Sequence, residues 1–191
     1  ANALIAKGVK KGDKVIHLMM NGLEWLPAYF GILRTGAWAV PLNFRFTAED
    51  IQYCAEIAEA RAMIFGEDFV ERIDSIKADL KQVKDFVFLG QEKAKPKYAE
   101  SYGSFTQGAG ISQPDVPISL LDDAALYFTS GTTGKPKPIL LTQRNLESAC
   151  IAENRHHNQT HKDNFLCLAP LYHTGAKMHW FGNFIVGARA V

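Results

Sequence analysis

The stretch "DKVIHLMMNGLEWLPAYFGILRTGAWAVPLN", Asp13 to Asn43, decides the fold class. Its beginning, "DKVIHLMM", is an apolar run that predicts a buried strand. The middle predicts a helix that ends at Gly36, and "AWAVPLN" predicts a second strand. A strand, a helix and a further strand in this order predict two parallel strands with a helix covering the sheet.

The same alternation continues toward the C-terminus. "TAEDIQYCAEIAEA" predicts a helix, because Thr47 and Asp50 form a capping-box pattern at its start and apolar residues follow at helical spacing. Other segments predict strands ("RAMIFGE", "DFVFLG", "AALYFTS", "PILLT", "NFLCLAPL") and helices ("EDFVERIDSIKADL", "NLESACIAENRHH"). We therefore predict an α/β fold, with a mostly parallel sheet covered by helices.

Residues 91–120 interrupt this alternation. The segment is polar, rich in proline and glycine, and has no periodicity. We interpret it as a surface excursion of one domain that spans residues 1–191, and not as a domain boundary.

Composition and charge restrict the class of protein. The chain has 191 residues, of which 47% are hydrophobic and 21% are charged, as is typical of a globular domain. With 21 Lys and Arg against 20 Asp and Glu, the net charge of +1 gives no electrostatic reason to expect nucleic acid or an anionic membrane as a partner. Three cysteines without zinc-site spacing and the lack of a signal peptide or transmembrane segment predict a cytoplasmic protein.

The segment "TSGTTGKPK", Thr129 to Lys137, has the composition of a phosphate-binding loop. Gly131 and Gly134 can adopt positive φ, which lets backbone N–H groups turn toward a ligand and approach it closely. Four hydroxyl side chains and two lysines add donors and positive charge. An anion with several oxygens would satisfy these groups together, whereas composition alone would equally describe a flexible surface loop.

The loop differs from the Walker A motif of P-loop proteins. Pro136 follows Gly134-Lys135 where that motif requires Ser or Thr, and position 129 is not a glycine. The residues after the loop, "ILLT", predict a strand, so no helix N-terminus would face the phosphates. Binding would depend on amides, hydroxyls and lysine.

The longer segment "YFTSGTTGKPKPILLTQRNL", Tyr127 to Leu146, resembles the phosphate-binding motif of the AMP-forming acyl-CoA synthetases and related adenylate-forming enzymes. Residues 8–64 are similar to the opening of the large domain of these enzymes, and "APLYHTGA" to the motif that follows the loop. The resemblance implies that residues 1–191 form part of an N-terminal AMP-binding domain with the acyl-CoA synthetase-like fold.

The resemblance also implies a two-step ligase reaction. A small-molecule carboxylic acid attacks the α-phosphorus of MgATP to give an acyl-adenylate and pyrophosphate, and a thiol, commonly coenzyme A, then accepts the acyl group. The implied cofactors are ATP, Mg²⁺ and coenzyme A. His173 would lie near the acyl substrate and the phosphates, whereas Lys135 occupies a variable position and is interpreted as a solvated charge. The implied phosphate-binding residues are Thr129, Ser130, Gly131, Thr132, Thr133, Gly134 and Lys137.

Other motifs of these enzymes are expected beyond Val191, among them the catalytic lysine of a small C-terminal domain. We therefore expect an internal piece of a larger enzyme that catalyses no adenylation alone and leaves an apolar sheet edge uncovered. The alternative is a non-catalytic phosphate- or nucleotide-binding module, which Pro138 favours because most family members have glycine there. Fatty, aryl and amino acids all remain open as substrates.

Two histidines in "NRHHNQTHK", His157 and His161, have the i, i+4 spacing of two metal ligands on one helix face. No cysteine or carboxylate pair nearby in the sequence completes a site. We interpret the segment as a solvated loop and predict no metal site.

Overall fold

The computed structural model describes residues 1–129 and 134–191, and seven strands of this part form one sheet. In chain order the strands are β1 Lys14–Leu18, β2 Trp38–Pro41, β3 Ala62–Gly66, β4 Asp85–Leu89, β5 Glu100–Ser101, β6 Asp123–Thr129 and β7 Lys137–Thr142. Across the sheet they lie in the order β5-β4-β3-β1-β2-β6-β7. All neighbouring pairs are parallel except β6 and β7, which are antiparallel.

Helices connect and cover these strands. They are α1 Asn2–Ala6, α2 Trp25–Leu33, α3 Ala48–Ala58, α4 Val70–Ile76, α5 Tyr102–Thr106, α6 Gln143–His157 and α7 Thr174–Val186, with short 3₁₀ helices at Glu67–Phe69 and Glu92–Ala94. Two further strands, β8 Asn164–Phe165 and β9 Arg189–Ala190, pair with each other in parallel. In the part of the chain that is described, no helix combines the length and the apolar character that crossing a membrane requires.

The sheet separates two apolar cores, as the alternation along β3 shows. Ala62 and Ile64 pack into one core, whereas Met63 and Phe65 pack into the other. Residues of α1, α2, α5, α6 and α7 complete the first core, and residues of α3 and α4 complete the second. Successive side chains of a strand point to opposite faces, so a strand covered on both faces is apolar throughout. The predicted α/β fold is confirmed.

One predicted strand is wrong over most of its length. Of "NFLCLAPL", residues 164–171, only Asn164 and Phe165 are in a strand. Their partner β9 is equally short, and Leu166 and Leu168 are 58% and 83% exposed. The apolar run predicted a buried strand, but the described residues give it a strand partner only at 164–165 and leave Leu166 and Leu168 exposed.

The segment 91–120 contains ordered elements that its composition did not predict. Strand β5 pairs with β4 and extends the sheet at one edge. Phe105 of α5 is buried and belongs to the first core. The segment thus contributes to the sheet and to the core.

Strand β7 forms the opposite edge of the sheet. Its residues Ile139 and Leu140 are each 44% exposed, and Pro138 lies opposite Phe128 of β6. Proline within a sheet is confined largely to edge strands, because it cannot donate a hydrogen bond to a second neighbour. Pro138 is therefore compatible with its strand.

His17 lies in the centre of the sheet on β1 and is fully buried. Its ring packs against Trp25 at a tilt of 43°, with 4.4 Å between ring centroids, and its Nε2 lies 3.1 Å from Sδ of Met19. Burial lowers the pKa of His17 from 6.5 to about 3, because the apolar surroundings disfavour the charged ring.

We expect His17 to make the protein sensitive to acid. The folded chain keeps this ring neutral to about pH 3, whereas the unfolded chain protonates it near pH 6.5. Its contribution to stability is therefore fully present above pH 6.5 and is lost as the pH falls toward 3. Between pH 7 and pH 5 the free energy of unfolding should drop by about 2 kcal/mol from this residue alone.

Urea unfolding at the two pH values, compared between the parent chain and His17→Phe, measures this contribution. The variant should lose less stability between pH 7 and pH 5, and the exposed-site control His156→Gln should behave like the parent. Equal losses in the parent and in His17→Phe would contradict the assignment.

Candidate functional site at the carboxyl ends of the strands

A cavity of about 250 Å³ lies where β2 and β6 end. Because β2 and β6 are parallel, their carboxyl ends meet at one edge of the sheet, which is the usual position of ligand sites in open α/β sheets. The start of α7 closes the cavity from the other side. The lining residues are Pro41, Asn43, Phe46, Tyr127, Phe128, Thr129, Tyr172, His173 and Thr174.

The predicted phosphate-binding loop connects β6 to β7 at this edge. Thr129, the last residue of β6, lines the cavity and lies opposite Lys137, the first residue of β7. The hairpin confirms that a strand and not a helix follows the loop. Both ends of the loop are therefore anchored in the sheet. Four residues of the loop lie outside the described residues and stay predictions: Ser130, Gly131, Thr132 and Thr133.

Gly134 has the positive φ that its role in the loop predicts. Its φ is +87°, a conformation that other residues seldom adopt. A Cβ atom added there would meet nothing within 4 Å, so the backbone conformation and not a lack of space requires glycine.

The two lysines of the loop lie in different surroundings. Lys137 begins β7 and is exposed. Lys135 is also exposed, but its ammonium lies 5.1 Å from the centroid of the Tyr53 ring on α3. This contact is a cation–π interaction, which the interpretation of Lys135 as a solvated charge did not include.

Two asparagines position the segment that carries His173. Asn43, just after β2, accepts a hydrogen bond from the Tyr172 hydroxyl at 2.8 Å. Asn21, just after β1, accepts one from the backbone N–H of Leu171 at 2.9 Å and donates one to the carbonyl of Ala169 at 3.1 Å. Sequence reasoning missed both residues. The sequence feature that could have identified them is an asparagine within three residues of the end of each buried strand, in "LMMN" and "VPLN".

His173 caps the N-terminus of α7. Its Nδ1 accepts a hydrogen bond from the backbone N–H of Gly175 at 3.2 Å. A neutral ring whose Nδ1 is an acceptor carries its proton on Nε2, so the exposed edge of the ring is a hydrogen-bond donor. His173 and Thr129 both line this cavity, and their contact with a substrate stays a prediction.

Tyr127, one of the lining residues, contacts two buried polar side chains, Tyr29 and Lys177. The hydroxyls of Tyr127 and Tyr29 lie 3.1 Å apart, and burial raises the pKa of both phenols, which stay protonated. Lys177 of α7 is only 3% exposed, and its ammonium lies 5.6 Å from the Tyr127 ring centroid. Burial lowers the pKa of Lys177.

The lining of the cavity suits an anion better than a cation. None of its nine residues is Asp or Glu, whereas Thr129, Thr174 and His173 offer hydroxyl or N–H donors. Mg²⁺ binds oxygen ligands and is commonly held by carboxylates. The lining residues therefore fit phosphate oxygens and do not by themselves hold Mg²⁺.

Comparison with known proteins gives the family. The profile of the family described as "AMP-binding enzyme" matches residues 1–191. Over 145 residues the chain is 34% identical to 3-hydroxybenzoate–CoA/4-hydroxybenzoate–CoA ligase of Thauera aromatica, covering 76% of this chain and 28% of that protein. Over 179 residues it is 28% identical to long-chain-fatty-acid–CoA ligase FadD13 of Mycobacterium tuberculosis, covering 92% and 34%. The chain thus spans about a third of the length of the curated relatives it matches.

Solved structures agree with this result. The inhibitor-bound N-terminal domain of FACL13 from Mycobacterium tuberculosis superimposes with a TM-score of 0.88 at 26% identity, over 99% of this chain and 46% of that one. The anthranilate CoA ligase AuaEII in complex with anthranoyl-AMP gives a TM-score of 0.91 at 26% identity, over 100% and 37%. With a family profile that covers every residue and a fold shared with CoA ligases, the chain belongs to the AMP-binding enzyme family.

Proposed function

We propose that the protein is an ATP-dependent ligase that converts a carboxylic acid into its coenzyme A thioester through an acyl-adenylate. The observation that carries this proposal is the anchoring of Thr129 and Lys137 in paired strands beside His173, at one edge of the sheet. The relatives named above, which are CoA ligases for aromatic and fatty acids, support it.

The proposed first step forms one bond and breaks another at the α-phosphorus of ATP. A carboxylate oxygen bonds to the α-phosphorus, and the bond from this phosphorus to the oxygen that bridges to the β-phosphorus breaks. Pyrophosphate leaves with additional negative charge on that oxygen. In the second step the sulfur of coenzyme A bonds to the acyl carbon, the bond from this carbon to the phosphate oxygen of AMP breaks, and AMP and the thiol proton are released.

The loop would act on the pyrophosphate that leaves. In this proposal its amides and hydroxyls, with the Lys137 ammonium, would donate hydrogen bonds to the oxygens on which negative charge develops. The paired strands β6 and β7 hold Thr129 and Lys137, the residues at the two ends of the loop. Mg²⁺, when bound with ATP, supplies further neutralisation of phosphate charge.

His173 would donate a hydrogen bond from Nε2 to an oxygen of the substrate. Its cap on Gly175 occupies Nδ1 and orients the ring. The proton on Nε2 is then available to a phosphate or carboxylate oxygen, and the α7 N-terminus adds a positive partial charge nearby.

The proposal is tested on the protein as its gene encodes it. AMP release is measured with ATP, coenzyme A and a panel of aryl, fatty and amino acids, with the acid or the coenzyme omitted in controls. AMP formation that requires both the acid and coenzyme A supports the proposed ligase activity. ATP binding without AMP formation for any acid would instead support the non-catalytic nucleotide-binding module.

The 191-residue chain alone is expected to show no acid-dependent exchange of pyrophosphate into ATP, because it spans about a third of the matched ligases. The measurement is incorporation of labelled pyrophosphate into ATP in the presence and absence of the acid panel. Exchange above the level without acid would contradict this expectation.

We expect Lys137→Ala to weaken pyrophosphate binding at least about tenfold, because a hydrogen bond to a charged group contributes about 1.5–3 kcal/mol. The matched control is Lys135→Ala, which removes the same charge two residues away and should change the affinity less than about threefold. Calorimetric titration of pyrophosphate into each chain measures the difference. Equal losses, or a larger loss for Lys135→Ala, would contradict the assigned role of Lys137.

We expect the substitution His173→Asn to distinguish the two roles of this side chain, the N-cap of α7 and the proposed hydrogen bond to the substrate. Asparagine is a good N-cap, so the free energy of unfolding should stay within about 0.5 kcal/mol of the parent, whereas His173→Ala should lose about 1 kcal/mol. Both variants lack the Nε2 donor. Introduced into the protein as its gene encodes it, both should lose AMP-forming activity to a similar extent. Full activity in His173→Asn would show that the imidazole contributes only its cap.

A further inference from the structure

Three side chains that can bind a metal ion converge on the outer side of α6 and α7. They are Glu153 and His157 of α6 and His179 of α7. The carboxylate Oε1 of Glu153 lies 2.9 Å from Nε2 of His157 and 3.5 Å from Nε2 of His179. The three ligand atoms all lie within 4.8 Å of one another.

The helices bring these residues together for simple geometric reasons. Glu153 and His157 are four residues apart and therefore lie on the same face of α6. The ring of His179 stacks on Phe165, with 4.8 Å between centroids and 20° between planes, which fixes its orientation.

The close approach of α7 to α6 depends on a glycine. The side chain of Asn154 donates a hydrogen bond to the carbonyl of Gly182 at 2.9 Å. A Cβ atom at position 182 would lie 2.4 Å from Oδ1 of Asn154, so a larger residue would require the Asn154 side chain to move. Glycine therefore allows the contact that places His179 beside α6.

The sequence drew attention to a different pair of histidines, His157 and His161, and predicted no metal site there. Helix α6 ends at His157, and Asn158 adopts the left-handed conformation, so His161 lies outside the helix. His157 belongs to a helix and contacts Glu153, so its interpretation as part of a solvated loop is corrected. The second histidine that contacts Glu153 is His179 of α7, which lies 22 positions after His157 in the chain.

We propose that Glu153, His157 and His179 form a binding site for a divalent transition-metal ion of the zinc class. Imidazole nitrogen and carboxylate oxygen are the usual nitrogen and oxygen ligands of Zn²⁺. With metal–ligand distances of about 2.0–2.1 Å, ligand atoms in a tetrahedral site lie about 3.3 Å apart. The distances of 2.9 and 3.5 Å from the Glu153 oxygen lie on either side of that value.

A small movement of the histidine side chains would bring all three ligand atoms to the distances that a bound metal ion requires. The two imidazole nitrogens must approach each other, and the His157 side chain, 57% exposed, has the freedom to rotate toward His179. Three protein ligands leave a fourth position for water. The bound ion would join α6 to α7, the helix that His173 caps. The site is independent of the ligase proposal, because none of its three residues lines the cavity.

Calorimetric titration of Zn²⁺ into the chain, without a histidine tag and after removal of metal with a chelator, tests the site. We expect one equivalent of Zn²⁺ to bind, and His179→Gln and His157→Gln each to weaken binding at least tenfold. His156→Gln and His161→Gln are the matched controls, since they remove neighbouring histidines that lie outside the cluster. Their affinity should stay within threefold of the parent.

Circular dichroism of each variant shows whether it is folded. Should His179→Gln unfold, His157→Gln decides the test, because that side chain is more exposed than His179. The proposal is overturned by an absence of Zn²⁺ binding, by binding that survives the cluster substitutions, or by an equal loss in the controls.

A second measurement uses stability. Free Zn²⁺ at a hundred times its dissociation constant should raise the folding equilibrium constant of the parent about a hundredfold. The same concentration should change that of His157→Gln at most about elevenfold, since its affinity is expected to be at least tenfold weaker. An equal change in both proteins would overturn the site.

Discussion

Parallel pairing of β1, β2 and β6 is the constraint on which the rest of the structure depends. It requires helical crossovers between successive strands, and these cover both faces of the sheet. It also directs the carboxyl ends of the strands to one edge. Asn21 follows β1 there, Asn43 follows β2, and Thr129 is the last residue of β6. The topology thus gathers these polar residues at one edge, although they are far apart in the sequence.

Among the described strands, β6 and β7 form the one antiparallel pair, and it distinguishes this edge from that of P-loop proteins. In P-loop proteins a helix follows the loop and adds its dipole to the phosphate site. Here β7 follows the loop, and the N-terminus of a different helix, α7 with His173 as its cap, borders the same cavity as Thr129.

Features that depend on neighbouring residues could be predicted from the sequence. The capping box of Thr47 and Asp50 is present, and Gly134 has the positive φ expected of it. Local geometry alone determines both, so a short segment contains the necessary information.

Features that depend on distant contacts were missed. Asn21 reaches partners 148 and 150 residues away, and His179 meets His157 only because two helices pack. The run after Phe165 was mistaken for a strand because pairing depends on a neighbour that the run itself does not reveal. A single sequence shows periodicity and caps, but it does not show which elements become neighbours.

The position of Asn21 has a consequence for the chemical lifetime of the site. It is followed by Gly22, and an exposed Asn-Gly pair is the sequence in which asparagine deamidates most readily. The product carboxylate keeps the acceptor for Leu171 but replaces the Nδ2 donor with an oxygen that faces the carbonyl of Ala169. Two acceptors would then oppose each other beneath the segment that carries His173. Ageing of the protein would thus loosen one side of the cavity through a single added negative charge, without any change in the sheet.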